Sequence, residues 1–142
     1  MSARGFLDTN ILIYSETSQS PDKARVAQHL IVNLARTGRG LISYQVVHEF
    51  FNVVLRNAFP KLNPPDCQIV LASILAKFPC VPNSQELVMR ALAIHQRYKL
   101  PWYDALIGAA ALEADCTVLF SEDFQAGQVF EGSLTVGNPF AA

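Results

Sequence analysis

Four acidic side chains occupy positions where an ordinary solvated carboxylate has little reason to be. Asp8 closes the apolar run Gly5-Phe6-Leu7 and is followed, after Thr9 and Asn10, by Ile11-Leu12-Ile13. At the carboxyl end of a strand its charge is half-buried, and it either caps the following turn or serves a ligand. Asn10, two residues on, is placed to hydrogen-bond that carboxylate or to hold a water. Glu49 lies in Val46-Val47-His48-Glu49-Phe50-Phe51-Asn52-Val53-Val54-Leu55, bordering a broad apolar helix face beside Val46 and Val53. A lone carboxylate there costs several kcal/mol unless it is paired or bound to a cation. Arg56, two turns on, is its ordinary candidate partner, whereas His48 points elsewhere, as a surface residue.

Asp104 opens a segment that runs apolar to Leu112 and is apolar on every side, which predicts a buried helix. Capping is one use for it, since an anion in a helix's first turn gains roughly 0.3–1 kcal/mol. Gly108, one turn on, is expected to admit a close approach by backbone or ligand. Asp123 follows the apolar run Val118-Leu119-Phe120. It takes the same topological place as Asp8, with Ser121 expected to reach the site ahead of Glu122. Four carboxylates gathered at one sheet edge repel one another by several kcal/mol in a low dielectric, and a divalent cation removes that repulsion. With oxygen donors and no neighbouring His or Cys, Mg²⁺ or Mn²⁺ fits better than zinc. The matching chemistry is metal-assisted phosphodiester hydrolysis.

The elements that must position these residues alternate. Short strands are expected at 5–7, 41–43, 80–81, 117–120 and 134–136. Helices are expected at 23–36, from about Gln45 to Phe59 with Pro60 as the stop, from Pro64 towards Pro79, at 85–98 and at 101–114, with Gly38 and Gly40 ending the first. Such alternation predicts an α/β fold, a three-layer α/β/α sandwich around a parallel sheet of about five short strands. In that architecture ligands bind at the carboxyl ends of the strands, where Asp8 and Asp123 fall. The absence of repeats or a linker-like stretch leaves residues 1–142 as a single domain.

The chain has 142 residues, 51% hydrophobic and 16% charged, enough for one core and too apolar for disorder. No apolar run approaches the ~18 residues of a membrane span. Phe6-Leu7 passes at once into Asp8, so no export signal is expected. Cys67, Cys80 and Cys116 are odd in number and widely spaced, which suits reduced core thiols in a cytoplasmic protein better than disulfides or zinc.

Phe-Leu-Asp-Thr-Asn at 6–10, Glu49 in Val-Val-His-Glu-Phe-Phe, Trp-Tyr-Asp-Ala-Leu-Ile at 102–107 and Leu-Phe-Ser-Glu-Asp-Phe at 119–124 together resemble the PIN-domain nucleases. The similarity is closest to the VapC-type toxins of bacterial toxin–antitoxin pairs, and Leu-Thr-Val-Gly-Asn-Pro-Phe at 134–140 is similar to the way many of those chains end. The resemblance implies a Mg²⁺- or Mn²⁺-dependent endoribonuclease acting on RNA. Asp8 and Asp104 would be the main metal ligands, Glu49 and Asp123 ligands directly or through water, and Asn10 and Ser121 their supports. It also implies a homodimer, neutralised by a VapB-like antitoxin whose C-terminal segment blocks the acidic pocket. The apolar face around Phe50, Phe51 and Val54 would serve that segment or, more simply, the core. Trp102-Tyr103 departs from the smaller or more polar residues expected before Asp104, and packing is favoured over stacking on a base.

Two other classes compete. A phosphatase of the haloacid-dehalogenase kind wants a second Asp where Asn10 stands, and a well-placed lysine after the later strands is missing. A non-catalytic PIN-like module binding RNA or protein fits less well with four acidic residues retained. The formal charge of −1 is an average over two regions and does not exclude a nucleic-acid partner. Setting four carboxylates aside leaves a remainder of roughly +3, with Arg4, Lys23, Arg25, Arg36 and Arg39 as candidates for a mildly basic surround.

Overall fold

The computed structural model describes residues 3–16, 19–56 and 62–141. The chain runs β1 (Gly5–Leu7), α1 (Thr9–Ser15), α2 (Pro21–Thr37), β2 (Gly40–Ser43), α3 (Tyr44–Arg56), α4 (Pro64–Lys77), β3 (Cys80–Val81), α5 (Gln85–Tyr98), α6 (Trp102–Glu113), β4 (Val118–Phe120), β5 (Val129–Phe130) and β6 (Leu134–Gly137). The expected extension of α3 to Phe59 and its stop at Pro60 lie outside the described residues. Among the described residues six strands form one sheet in the order β3-β2-β1-β4-β6-β5. All neighbours pair in parallel except β5, which returns antiparallel on β6. The sheet is therefore the expected α/β arrangement with one short antiparallel edge strand added.

Local chemistry sets the boundaries. Pro21 at the first helical position and Asp22 in the first turn start α2, and Gly38 in the left-handed region (φ 68°) ends it. Asn63 and Ser84 cap α4 and α5 by accepting from Asp66 N–H and Leu87 N–H. Gly40 does not end a helix, as its place after Gly38 suggested; it opens β2. A Cβ there would stand 2.6 Å from the buried Phe78 ring and 3.0 Å from Leu34 Cβ, so the strand approaches those side chains as only glycine allows.

All three residues of β1 are buried, as a central parallel strand covered on both faces requires. Helix α6 packs against α5 and against β2 and β4, while α1 packs against α2 and α3. Phe6, Phe50, Phe78 and Phe130 are fully buried, each contributing about 1.5–3 kcal/mol by leaving water. Phe50 and Val54 are thus core residues, with Phe51 half-buried against them. The three cysteines are free, and burial pushes the Cys80 thiol up to about 11 and the Cys116 thiol up to about 12. Among the described residues no helix is long and apolar enough to cross a membrane.

Candidate active site

Strand order reverses at β1, which has β2 on one side and β4 on the other. The crevice beyond the carboxyl ends of such a pair is where open α/β sheets place ligands. Asp8 leaves β1 at that point, and its N–H still donates to Phe120 O of β4 at 3.0 Å. Its carboxylate then turns back as the N-cap of α1, accepting from Thr9 N–H at 2.7 Å.

Ser121, the residue after β4, is fully buried and ties the two strand ends together. Its hydroxyl donates to Asp8 Oδ2 at 2.7 Å and accepts from Asp123 N–H at 3.0 Å. Asn10 reaches across from α1, its amide nitrogen 3.0 Å from Asp123 Oδ2, 3.2 Å from Ser121 Oγ and 3.5 Å from Asp8 Oδ2. Its principal acceptor is therefore Asp123, with Asp8 at the limit of a hydrogen bond. Ser121 is built into the site while Glu122 turns away from it. Glu122 accepts from Tyr14 Oη at 2.5 Å and from Lys23 Nζ at 2.9 Å, and Lys23 lies over the rings of Tyr14 and Phe140.

The other two carboxylates come from helices. Glu49 is half-buried on α3, but its partner is not Arg56, which donates instead to Asn52. Glu49 Oε1 accepts from Thr9 Oγ1 at 2.6 Å, and Oε2 from Gln45 Nε2 at 3.2 Å. Asp104 stands in the first turn of α6, half-buried, with no hydrogen bond to its carboxylate among the described residues. Trp102 packs edge-on to His95, while Tyr103 is largely exposed. Gly108 makes no close approach: a Cβ on it would meet nothing within 4 Å beyond its own helix.

All four predicted carboxylates, Asp8, Glu49, Asp104 and Asp123, line one cleft of about 320 Å³ together with Thr9, Asn10, Ile13, Asn52, Val53 and Ile107. Burial raises the Asp8 carboxyl to about 7, with the Asp123 and Glu49 charges adding to the rise. Asp104 is raised by the same causes in the same order, burial first and then Asp123 and Glu49. The charges of Asp123 and Glu49 thus act on both Asp8 and Asp104, disfavouring ionisation of each.

This donor set fits a hard divalent cation in its chemistry: oxygen alone, mutually repelling, and joined at the cleft by the buried Asn10 Oδ1, which has no hydrogen-bond partner among the described residues. Among the described residues no three His, Cys, Asp or Glu side chains form a ready-made metal site. The carboxylates line the cleft without closing on a common point. The expected basic surround is also corrected by the topology. Arg4 and Arg39 immediately precede the parallel strands β1 and β2, and Arg36 lies in the last turn of α2, so these three sit towards the opposite edge of the sheet. Arg25 pairs with Asp22, and Lys23 alone of the candidates touches the site's margin.

Thr9 and Gln45 were not singled out from sequence. The i, i+4 spacing of Gln45 and Glu49 on one helix face was the available signal for the second. For Thr9 there was none, because its contact depends on how α1 settles against α3.

A mostly parallel α/β sheet with an acidic cleft at its strand reversal defines a class of small carboxylate-site domains. Within that class the chain belongs to the PIN-domain family, which it matches over residues 5–129. A comparison with curated protein sequences returns no match. Among solved structures it is similar in fold to a chain of a toxin–antitoxin complex from Klebsiella pneumoniae, with TM-score 0.68, 23% identity, and 99% of this chain and 100% of that one covered. It is similar likewise to a chain of FitAcB from Neisseria gonorrhoeae, with TM-score 0.71, 19% identity and 97% and 99% covered. A chain of VapBC2 from Rickettsia felis, bound to a DNA fragment from the promoter, gives TM-score 0.60 and 19% identity with 82% and 86% covered.

Proposed function

We propose that this chain is a Mg²⁺- or Mn²⁺-dependent endoribonuclease that hydrolyses RNA phosphodiester bonds, and that it is the toxin of a VapBC-type toxin–antitoxin pair. The observation that carries the activity is the convergence of Asp8, Glu49, Asp104 and Asp123, from four separate elements, on one cleft at the sheet's carboxyl edge. Membership of the PIN-domain family and likeness in fold to chains of a toxin–antitoxin complex, of FitAcB and of VapBC2 support the biological role.

Asp8 and Asp104 would hold the cation, with Glu49 and Asp123 completing the set directly or through water. A bound Mg²⁺ or Mn²⁺ supplies a lowered water pKa and stabilisation of charge on the phosphoryl oxygens. The Ser121 hydroxyl and the Thr9 backbone N–H both donate to Asp8, which keeps its carboxylate ionisable and fixes its plane. Asn10 holds Asp123 by its amide nitrogen, so the two strand-end carboxylates keep a constant relation. Ile13, Val53 and Ile107 line the same cleft and lower its dielectric, which strengthens every charge interaction within it.

The reading implies one nuclease domain over residues 1–142, a cytoplasmic setting, a homodimer and a VapB-like antitoxin segment over the acidic cleft. Purified protein is expected to cleave RNA with added Mg²⁺ or Mn²⁺ and to stop with chelator. Asp8→Asn and Asp104→Asn should abolish cleavage with the fold retained. Equal cleavage by wild type and both variants, or no cleavage at any metal concentration, would overturn it. For the biological role, growth arrest on expression should be relieved by the product of an adjacent short reading frame.

A further inference from the structure

Gln45 makes a pair of contacts that ordinary helix-surface packing does not call for. Its amide nitrogen donates to Glu49 Oε2 at 3.2 Å on its own helix, α3, and to Tyr103 O at 3.0 Å on α6. Both partners are acceptors, so only the amide NH₂, with its two protons, can serve them together. Tyr103 O belongs to the peptide group that joins Tyr103 to Asp104. One side chain therefore spans the carboxylate of Glu49 and the backbone that carries Asp104.

The other Glu49 oxygen is taken by Thr9 Oγ1 at 2.6 Å, and Thr9 N–H is bonded to Asp8. Glu49 is thus held from two sides, towards β1 by Thr9 and towards α6 by Gln45. The Asp104 carboxylate itself accepts no hydrogen bond among the described residues. Its distance from Glu49 is set by backbone placement, and Gln45 is the described hydrogen bond that joins α3 to the α6 N-terminus at the cleft.

We propose that Gln45 is a positioning residue that fixes the separation of the Glu49 and Asp104 carboxylates for cation binding, by bridging Glu49 Oε2 to the Tyr103 carbonyl. The proposal rests on the nuclease reading above and adds a residue to its site. Gln45 is not among the residues that line the cleft; it acts through Glu49 and through the backbone at Asp104. Partners that orient ligands in this way typically change metal affinity by about 10–100-fold when removed.

The test compares wild type with Gln45→Leu, which keeps the volume and loses both donors, and Gln45→Glu, which keeps the shape but presents only acceptors at neutral pH. Two quantities are read for each: the Mn²⁺ concentration at half-maximal thermal stabilisation without RNA, and the Mg²⁺ dependence of cleavage of a single-stranded RNA. Both variants should need about 10-fold more metal in both assays. The maximal rate at saturating metal should stay close to wild type in both, and the melting temperature in chelator should stay close to wild type in Gln45→Leu, whereas Gln45→Glu sets a second carboxylate beside Glu49 and should melt lower in chelator. Metal midpoints unchanged in both variants, or a lowered maximal rate with unchanged midpoints, would overturn the positioning role. A wild-type chain that neither responds to Mn²⁺ nor cleaves RNA overturns the nuclease reading itself, which separates the two failures.

Discussion

Ser121 Oγ lies 2.7 Å from Asp8 Oδ2 and donates its only proton there, while accepting from the backbone N–H of Asp123. One buried hydroxyl therefore holds the acidic residues that follow two adjacent strands. Ser121→Ala removes a charge-assisted bond and should cost about 1–3 kcal/mol in urea unfolding. Because that bond also pulls the Asp8 carboxyl down, its loss raises Asp8 further. The acid limb of the RNA-cleavage pH profile should then move to higher pH, and a profile that superimposes on wild type would count against the link.

Asp8 also makes stability depend on pH. Burial lifts its carboxyl from 3.8 to about 7 in the folded chain. Between those values the folded state holds a proton that the unfolded state has released, so stability falls as pH rises through the window and is lowest above it. In chelator the loss between about pH 5 and about pH 8 should be of order 3 kcal/mol, and Asp8→Asn should remove most of it. Added Mg²⁺ or Mn²⁺ should stabilise the wild type more at the higher pH, where the carboxylate is already ionised. Paired thermal melts of wild type and Asp8→Asn with chelator or metal provide the check.

Two glycines should respond in opposite directions. Gly40→Ala forces a methyl group against the Phe78 ring and Leu34 Cβ and should destabilise by about 1–3 kcal/mol. Gly108→Ala meets open space inside α6 and should be neutral or stabilising by up to about 1 kcal/mol. Chemical denaturation of the two single variants decides the matter; comparable losses in both would contradict the packing described.

At the margin of the cleft, burial pushes Glu122 up, yet bonds from Tyr14 and Lys23 outweigh it and hold its carboxyl below the usual range. This anchors the turn that carries Asp123. Tyr14→Phe deletes the phenolic donor and should lower stability by about 1 kcal/mol. It should also slow cleavage at saturating metal while leaving the KM for RNA unchanged. A change in KM alone would place Tyr14 in substrate binding instead.

The strand-end residues were legible because burial and chain position coincide there. Asp8, Ser121 and Asp123 each follow an apolar run, and a parallel sheet brings such ends to one edge whatever the loops do. Glu49 was legible from the helix face it borders, although its partner was not: Arg56 was near in sequence, while Thr9 is near only once α1 packs on α3. Composition counts cations without placing them, and the sheet separates Arg4 and Arg39 from the cleft they are expected to surround. Strand β5 escaped notice because it is two residues long, with Val129 exposed and Phe130 buried, between turns at Gly127 and Gly132 that both need positive φ. The close contact expected at Gly108 rests on residue type alone, and residue type does not report the space around a helix.

The strand order has a consequence for the life of the molecule before it is complete. β1 is made first, but its parallel neighbour β4 lies more than a hundred residues later, and Ser121 and Asp123 later still. Contacts of such sequence separation form late, after the loop between them has closed. A chain emerging from the ribosome therefore carries Asp8 and Glu49 with nothing opposite them. The acidic cleft is completed only when β4 docks on β1 and brings Ser121 and Asp123 beside Asp8, so its assembly waits on the longest-range pairing in the sheet.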